Sequence, residues 1–172
     1  MLINIFKFSN MMKKTIVKKI GKKGKGVFAQ KDFKKGELIL AIKGKFVSSA
    51  KADSMQHYYR NHICVVGDDE WALMGIPERY INHSCSPNVF DKKRKVFAMK
   101  NIKKGEELAF DYSINGPDGE DWKMKCHCKS KNCRINLNGE FFSLPNKLQK
   151  KYLPYLDEWF RKRYNDRIKK LG

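Results

Sequence analysis

The sequence contains no long hydrophobic run, so it predicts no membrane span. A short apolar stretch lies within MLINIFKFSNMM, the first twelve residues, where Lys7 interrupts it. No basic residues precede this stretch and no small-residue cleavage site follows it, which argues against a signal peptide. We expect residues 1–14 to be a leader outside the folded domain, unless Met11 or Met12 is the true start.

Cysteine is scarce, and the five cysteines are an odd number. A chain without an export signal is expected to hold reduced thiols or a metal instead of a disulfide framework. We therefore expect an intracellular protein. No internal repeat is present, and 172 residues with 41% hydrophobic content suit one globular domain, with or without an appendage. We do not expect a two-domain enzyme at this length.

Acidic residues are also few, 18 against 37 Lys and Arg, and their distribution is uneven. Residues 13–51 carry a net charge of +11 and residues 123–172 carry +10, whereas residues 52–122 carry −3. One interpretation is that the lysines only keep the protein in solution. The other is that two basic flanks face a polyanion, such as nucleic acid, around a centre that accepts a cationic substrate.

The apolar pattern predicts mostly short strands. In residues 15–40, β-branched and aromatic residues alternate or cluster between glycines, with a turn at DFKKGE, which indicates two or three strands. HICVVGDDEWALM is typical of a hairpin, and residues 95–113 repeat the order strand, KKGE turn, strand. SSAKADSMQHYY is the candidate for a short helix, and INGPDGED (114–121) is predicted to be a mobile loop or a boundary.

The last segment is predicted to be helical, with an apolar stripe that docks on the core. Pro154 divides this segment into two helices, because proline removes a hydrogen bond from a helix interior. Several basic residues fall on the outer face, where they can meet phosphate. The stripe consists of Leu148, Tyr152, Leu156, Trp159, Phe160 and Tyr164, and the basic residues are Arg161, Lys162, Arg163 and Arg167.

Three cysteines form the run CHCKSKNC, namely Cys126, Cys128 and Cys133. Three close thiols are one ligand short of a tetrahedral zinc shell, so either zinc binds here with a fourth ligand or the thiols are unligated. Cys64 lies in an apolar strand and is expected to be buried and inert. His127 is expected to be exposed. The residues alone leave Cys85 and His83 as candidates for the fourth ligand.

Four ordered motifs together resemble those of the SET-domain protein lysine methyltransferases. GKGVFAQKDFKKGELI (24–39) is similar to the N-terminal G-x-G segment of that family, and RYINHSCSPNV (79–89) to its R-[FY]-x-N-H-S-C-x-P-N signature. GEELAFDYS (105–113) is similar to G-E-E-L-x-[FY]-D-Y. CHCKSKNCR (126–134) matches the zinc-binding post-SET element C-x-C-x4-C-R.

The resemblance implies a mainly β fold, the SET-domain or β-clip fold. It consists of short strands in small sheets, with the signature segment threaded through a pseudoknot and a helical segment at the C-terminus. We expect the SET domain to span 15–115, a post-SET zinc segment 116–135 and a helical extension 136–172. A cysteine hydrolase using Cys85 and His83 is disfavoured, because no orienting carboxylate or oxyanion site can be named.

The implied reaction is transfer of a methyl group from S-adenosylmethionine to a lysine amine of a protein. In this family Tyr112 would be the catalytic tyrosine that orients the amine. Phe110 matches the position that sets how many methyl groups fit, and phenylalanine there leaves room for di- or trimethylation.

The resemblance also assigns the binding residues. Cys85 would be the fourth zinc ligand, beside Cys126, Cys128 and Cys133, and zinc loss would weaken cofactor binding. The residues that would hold the cofactor are Gly24, Lys25, Gly26, Arg79, Tyr80, Asn82 and His83.

The sequence departs from the family before the signature, where GIPER stands in place of the common G-N-x-A-R, with Pro77 and Glu78 as unexpected residues. There is no cysteine-rich pre-SET region and no chromatin-reading module.

We expect a histone-like or other nucleic-acid-associated basic substrate, with the basic flanks on nucleic acid or a nucleosome and no membrane partner. The location would be the nucleus or chromatin in a eukaryote or a virus, and the cytoplasm otherwise. The substrate groove would be lined by Asp68, Asp69, Glu70, Asp118, Glu120 and Asp121. The alternative is an inactive, zinc-stabilised module on the same fold that binds chromatin or nucleic acid.

Overall fold

The computed structural model describes residues 14–21, 24–59, 62–119 and 122–172. The leader, except for residue 14, and the acidic residues Glu120 and Asp121 lie outside this part. The first half contains six strands and one helix within the described ranges. They are β1 (Thr15–Lys19), β2 (Lys25–Ala29), β3 (Leu38–Ala41), β4 (Gly44–Val47), α1 (Ser49–Tyr59), β5 (Ile63–Gly67) and β6 (Glu70–Met74).

The second half begins with short strands around the signature and ends in helices. A 3-10 turn (Glu78–Tyr80) precedes β7 (Asn82–His83), β8 (Val89–Lys92), β9 (Lys95–Ala98) and β10 (Glu107–Phe110). The cysteine segment adds β11 (Met124–Lys125) and β12 (Asn136–Leu137). The last elements are α2 (Asn146–Tyr152), a 3-10 turn (Leu153–Tyr155), α3 (Glu158–Arg163) and α4 (Asn165–Lys169).

The strands form small, mostly antiparallel sheets, as expected for a SET-domain fold. Their orders are β1-β2-β10-β7, β3-β9-β8, β4-β6-β5 and β11-β12. Both KKGE turns place glycine in the left-handed region, Gly36 at φ +81° and Gly105 at φ +91°. In each turn the glutamate accepts a hydrogen bond from the main chain of the first lysine, at 3.0 Å in one and 2.7 Å in the other. This local bonding explains why the same four residues recur between strands.

The signature segment is held against β10 at residues 82–84 and at Asn88. β7 pairs with β10 in parallel, with Ala109 opposite Asn82 and Phe110 opposite His83. Asn88 extends the contact, because its side chain donates to the Glu107 carbonyl at 2.8 Å and accepts from the Ala109 N–H at 2.8 Å. The signature therefore lies beside the strand that leads to Tyr112.

The predicted elements are largely confirmed. The hairpin is β5-β6, the helix is α1, and Pro154 lies in the 3-10 turn that separates α2 from α3. The apolar stripe is buried in a cluster with Phe141 and Met99, where Leu156 and Phe160 are fully enclosed. A separate cluster forms the main β core around Val27, Leu108 and Val96. Within the described ranges, no helix is both long and apolar enough to cross a membrane.

The prediction of a mobile loop at 114–121 is wrong for its first half. Residues 113–117 are buried. Gly116 lies so close to Gly139 that an added Cβ would come within 1.7 Å of the Gly139 carbonyl oxygen, and the Gly116 carbonyl accepts a hydrogen bond from Phe141 at 3.0 Å. The glycine that indicated flexibility in the sequence instead permits close contact between two main chains.

Candidate functional site

A cavity of about 570 Å³ lies between the signature segment, the β5-β6 hairpin and the buried segment after β10. This volume falls within the range of small-molecule and cofactor sites. Seven of the catalytic and cofactor-binding residues predicted from the sequence line this cavity. Those that line it are Gly24, Lys25, Arg79, Tyr80, Asn82, Phe110 and Tyr112.

Tyr112 follows β10 and is fixed at both ends. Its main-chain N–H donates to Nδ1 of His83 at 3.2 Å, and its hydroxyl donates to the Ile81 carbonyl at 3.0 Å. Tyr112 is 37% exposed, but the protein around its hydroxyl excludes water and raises the pKa above its usual value, with smaller contributions from Cys64 and Glu107, so the hydroxyl stays protonated. The phenol is thus a neutral group held in one orientation at the cavity wall.

Aromatic side chains surround this position. Phe110 lines the cavity two residues before Tyr112. The ring of Trp122 lies 5.9 Å from that of Tyr112 in an edge arrangement, and Trp71 and Tyr80 line the same cavity. Sequence reasoning missed Trp122 and Trp71, because their approach depends on the tertiary fold and not on a motif.

The edge predicted to hold the cofactor is built from the G-x-G segment and Asn82. The Asn82 amide donates to the Lys25 carbonyl at 3.0 Å and to the Glu107 carboxylate at 2.8 Å. Gly26 faces this amide, and an added Cβ would lie 2.9 Å from Oε1 of Glu107. The Lys25 ammonium lies 4.9 Å above the Tyr80 ring. Gly26 therefore leaves room for the side chains of Glu107 and Asn82, while Gly24 and Lys25 line the cavity.

His83 is buried between the cysteines and Tyr112 and is not among the described residues that line the cavity. Nδ1 accepts from a main-chain N–H, so the proton of the neutral ring is on Nε2, which lies 3.2 Å from Sγ of Cys85. The imidazole therefore connects the thiol to Tyr112. A cofactor contact of His83, as the family resemblance implies, would have to use its main chain.

The structure brings four cysteines together, Cys85, Cys126, Cys128 and Cys133, with all sulfur atoms within 4.8 Å of one another. Zn–S distances of about 2.3 Å give a tetrahedron with edges of about 3.8 Å. The Cys85 and Cys126 sulfurs are 3.8 Å apart, which is one such edge. Burial would raise the pKa of Cys128, but hydrogen bonds from Ser130 and from the main chain of Cys85 lower it to about 6. The donor set and its spacing fit a zinc ion.

Cys64 and His127, which the sequence analysis had set aside as zinc ligands, lie outside this cluster. His127 is exposed, as predicted. Cys64 lies on β5 at the cavity wall and is half-buried, not fully buried as expected from the sequence. Burial raises the pKa of the Cys64 thiol to about 12, and the carboxylates of Asp91 and Glu78 contribute to the increase. Cys64 is therefore an unreactive, protonated thiol at neutral pH.

Asp111, between Phe110 and Tyr112, is the main site residue that sequence reasoning missed. Its carboxylate is 2% exposed. It accepts hydrogen bonds from the Arg134 guanidinium at 2.6 Å, the Tyr152 hydroxyl at 3.0 Å and the Ser113 N–H at 3.1 Å. The main chain of Arg134 also donates to Sγ of Cys85 at 3.3 Å. Asp111 thus joins the cysteine segment and the C-terminal helices to the cavity wall. The sequence signal that could have revealed Asp111 is the F-D-Y motif, in which a charged residue stands between two aromatic residues.

The acidic residues predicted to line a substrate groove are elsewhere. Asp68 pairs with Arg163 and Asp118 with Arg167, so they bind the C-terminal helices. Asp69 accepts from Ser49, and Glu70 pairs with Arg94. None of these four lines the cavity. Asp68, Glu70 and Asp118 pair with arginines of this chain and Asp69 with Ser49, so these acids have partners within the chain, and the groove for a substrate stays a prediction. The described carboxylates at the cavity are Glu78, Asp91 and Asp111.

The basic residues of the last helices are also partly engaged within the chain. The Arg161 guanidinium donates to the Leu153 carbonyl, and the Arg167 guanidinium lies 3.7 Å from the centre of the Phe142 ring. Lys162 stays exposed. The helical extension therefore uses several of its charges for docking.

Comparison with known proteins agrees with the fold. The model of the SET domain matches residues 24–113, which covers more than half of the chain. The chain therefore belongs to the SET-domain family.

The curated relatives are much longer proteins. The chain is 32% identical over 131 residues to histone-lysine N-methyltransferase trithorax of Drosophila virilis, covering 67% of this chain and 3% of that protein. It is 32% identical over 131 residues to human histone-lysine N-methyltransferase 2D, covering 67% and 2%. It is 30% identical over 135 residues to the H3 lysine-36 specific enzyme of Saccharomyces cerevisiae, covering 69% and 18%. The similarity thus spans a small part of each relative.

Replacing Tyr152 by phenylalanine should destabilise the protein. The change removes one hydrogen bond to the buried Asp111 carboxylate, and an acceptor left without that donor costs about 1–3 kcal/mol. Urea unfolding followed by tryptophan fluorescence measures the loss. Tyr155→Phe, in the neighbouring 3-10 turn, is the matched control. Equal unfolding free energies for Tyr152→Phe and wild type would contradict the role of Tyr152.

Proposed function

We propose that this chain methylates the ε-amine of a lysine in a protein, with S-adenosylmethionine as the methyl donor. The observation that carries the proposal is the aromatic cavity that joins the Gly24–Lys25 edge to the fixed hydroxyl of Tyr112. Membership of the SET family and relatives named as histone-lysine methyltransferases support it. The presence of Tyr112, Asn82 and His83 favours activity over an inactive binding module.

The residues fit the demands of the reaction. The bound donor supplies a methyl group on a sulfonium, and the lysine must arrive as a neutral amine in line with it. A free lysine has a pKa near ~10.4, and an apolar, aromatic wall favours its deprotonated form. Tyr112 would orient the amine, since its hydroxyl is neutral and anchored to the Ile81 carbonyl. Alignment of the reacting atoms within roughly 3 Å supplies much of the rate.

The donor would be held by the edge formed by the G-x-G segment and the signature. Gly24 has φ +79° and lets the main chain approach a ligand closely. Lys25 offers a cation at the same edge. We assign Gly24, Lys25, Arg79, Tyr80 and Asn82 to direct contact with the donor. Gly26 and His83 would shape this edge from behind.

Histones or other basic, nucleic-acid-associated proteins are the proposed substrates, and chromatin is the proposed location. The names of the relatives support both. The net charge of +19 favours association with a polyanion such as a nucleosome. Because Arg163 and Arg167 pair with acids of this chain, that contact would fall mainly to the exposed lysines of the N-terminal flank.

Tyr112→Phe should lower methyl transfer by roughly 10- to 100-fold, the effect of losing one positioned hydrogen bond. The measurement is transfer of labelled methyl from S-adenosylmethionine to histones, ribosomal proteins and total lysate. Tyr59→Phe, on α1 and outside the cavity, is the control. Equal label from Tyr112→Phe and wild type would overturn the assigned role of Tyr112.

Phe110 should allow di- or trimethylation, because it carries no hydroxyl that would hold the amine and occupy space beside Tyr112. Phe110→Tyr is expected to shift the product towards monomethyl-lysine. Mass spectrometry of the labelled substrate after long reaction times measures the distribution. A wild-type enzyme that stops at monomethyl-lysine would contradict the proposal.

We further propose that Cys85, Cys126, Cys128 and Cys133 bind one zinc ion that orders the segment from Met124 to Leu137. Cys126→Ser should release the metal and lower activity, while the main sheets stay folded. Zinc per protein, measured by atomic emission, tests this. Cys64→Ser, outside the cluster, should keep its zinc. Unchanged zinc content in Cys126→Ser would refute the ligand set.

A further inference from the structure

The carboxylate of Glu78 forms part of the cavity wall and is incompletely paired. The residue is 1% exposed. One oxygen, Oε1, accepts a hydrogen bond from the Lys43 main chain at 2.5 Å. The other oxygen, Oε2, has no hydrogen-bond partner within the described part of the chain. Glu78 belongs to the GIPER segment, in which the sequence departs from its family.

A buried carboxylate oxygen without a donor is unfavourable, and native proteins seldom leave one unpaired. The nearest cation in sequence does not compensate it. Arg79 directs two guanidinium N–H groups to the Met74 carbonyl, at 2.9 and 2.8 Å. An external donor that enters the cavity would supply the missing hydrogen bond.

Asp91, on β8, is a second carboxylate that lines the cavity. Cys64 lines the same cavity, and the carboxylates of Asp91 and Glu78 both contribute to the raised pKa of its thiol. His62 also lines the cavity, and its Nδ1 has no partner among the described residues. Two carboxylates, and two polar atoms without a partner among the described residues (Oε2 of Glu78 and Nδ1 of His62), therefore belong to residues that line this cavity.

We propose that Glu78 and Asp91 form a subsite for a cationic side chain of the substrate, an arginine close to the lysine that is methylated. This inference rests on the proposed function. The methylated lysine itself is a poor occupant, because carboxylates stabilise the ammonium form and the reaction needs a neutral amine. A guanidinium presents several N–H donors in a plane and can reach two carboxylates at once.

Peptides with one central lysine test the subsite. Arginine is placed in turn at each of the nearest positions on either side, and citrulline, which is neutral and nearly the same shape, replaces it in a matched set. Wild type should favour arginine over citrulline at one position by roughly tenfold or more in kcat/KM, mainly through KM. This factor corresponds to one hydrogen bond between charged groups.

Glu78→Gln keeps the acceptor for the Lys43 main chain but removes the charge, and Asp91→Asn is the second variant. In each, the ratio between the arginine and citrulline peptides should fall towards one. Asp53→Asn removes an exposed carboxylate on α1 and should keep the ratio. An active wild type with no preference for arginine at any position would overturn the subsite, as would an unchanged ratio in both variants.

Fluorescence anisotropy of the same peptides, labelled and without turnover, separates this inference from the proposed function. If no peptide and no histone is methylated, the proposed function fails. The subsite would still be supported if wild type bound an arginine peptide more tightly than its citrulline partner and Glu78→Gln did not. Equal binding of both peptides by wild type would overturn it.

Discussion

The buried carboxylate of Asp111 is the constraint on which the site depends. It lies between Phe110 and Tyr112 and accepts hydrogen bonds from Arg134 of the cysteine segment and Tyr152 of the C-terminal helices. A buried carboxylate is stable only when it is paired and fully hydrogen-bonded. Docking of these two later parts of the chain therefore stabilises the carboxylate that lies next to Tyr112. In this way the site next to β10 depends on segments that follow β10 in the sequence.

The cysteine cluster acts on the same site from the other side. Cys85 lies in the signature, accepts a hydrogen bond from the main chain of Arg134 and contacts His83, whose second nitrogen holds the main chain of Tyr112. A metal bound by the four thiols would thus influence the cavity wall without touching a substrate, as outer-shell partners do at other metal sites. The C-terminal helices contribute similarly through Tyr152, and their ion pairs to Asp68 and Asp118 attach them to the domain.

Local patterns were enough for the elements and for much of the candidate site. The alternation of apolar residues predicted the strands, Pro154 divided the last helices, and the ordered motifs gave the family and the cavity residues from Gly24 to Tyr112. Long-range pairing could not be predicted. The acids at 68–70 and 118 looked like a groove because their partners, among them Arg163 and Arg167, lie far away in sequence. Gly116 looked mobile because its contact with Gly139 is tertiary, and Glu78 looked like a mere departure from a motif.

We propose that a zinc ion bound by the four cysteines would shape the pocket for the methyl donor. Titration calorimetry with S-adenosylhomocysteine, which binds but cannot react, tests it most directly on the same protein before and after zinc removal by a chelator. The account predicts an affinity at least roughly tenfold weaker without zinc, the usual scale of outer-shell effects, and recovery when zinc is restored. Equal affinity with and without zinc, at a verified difference in metal content, would contradict it.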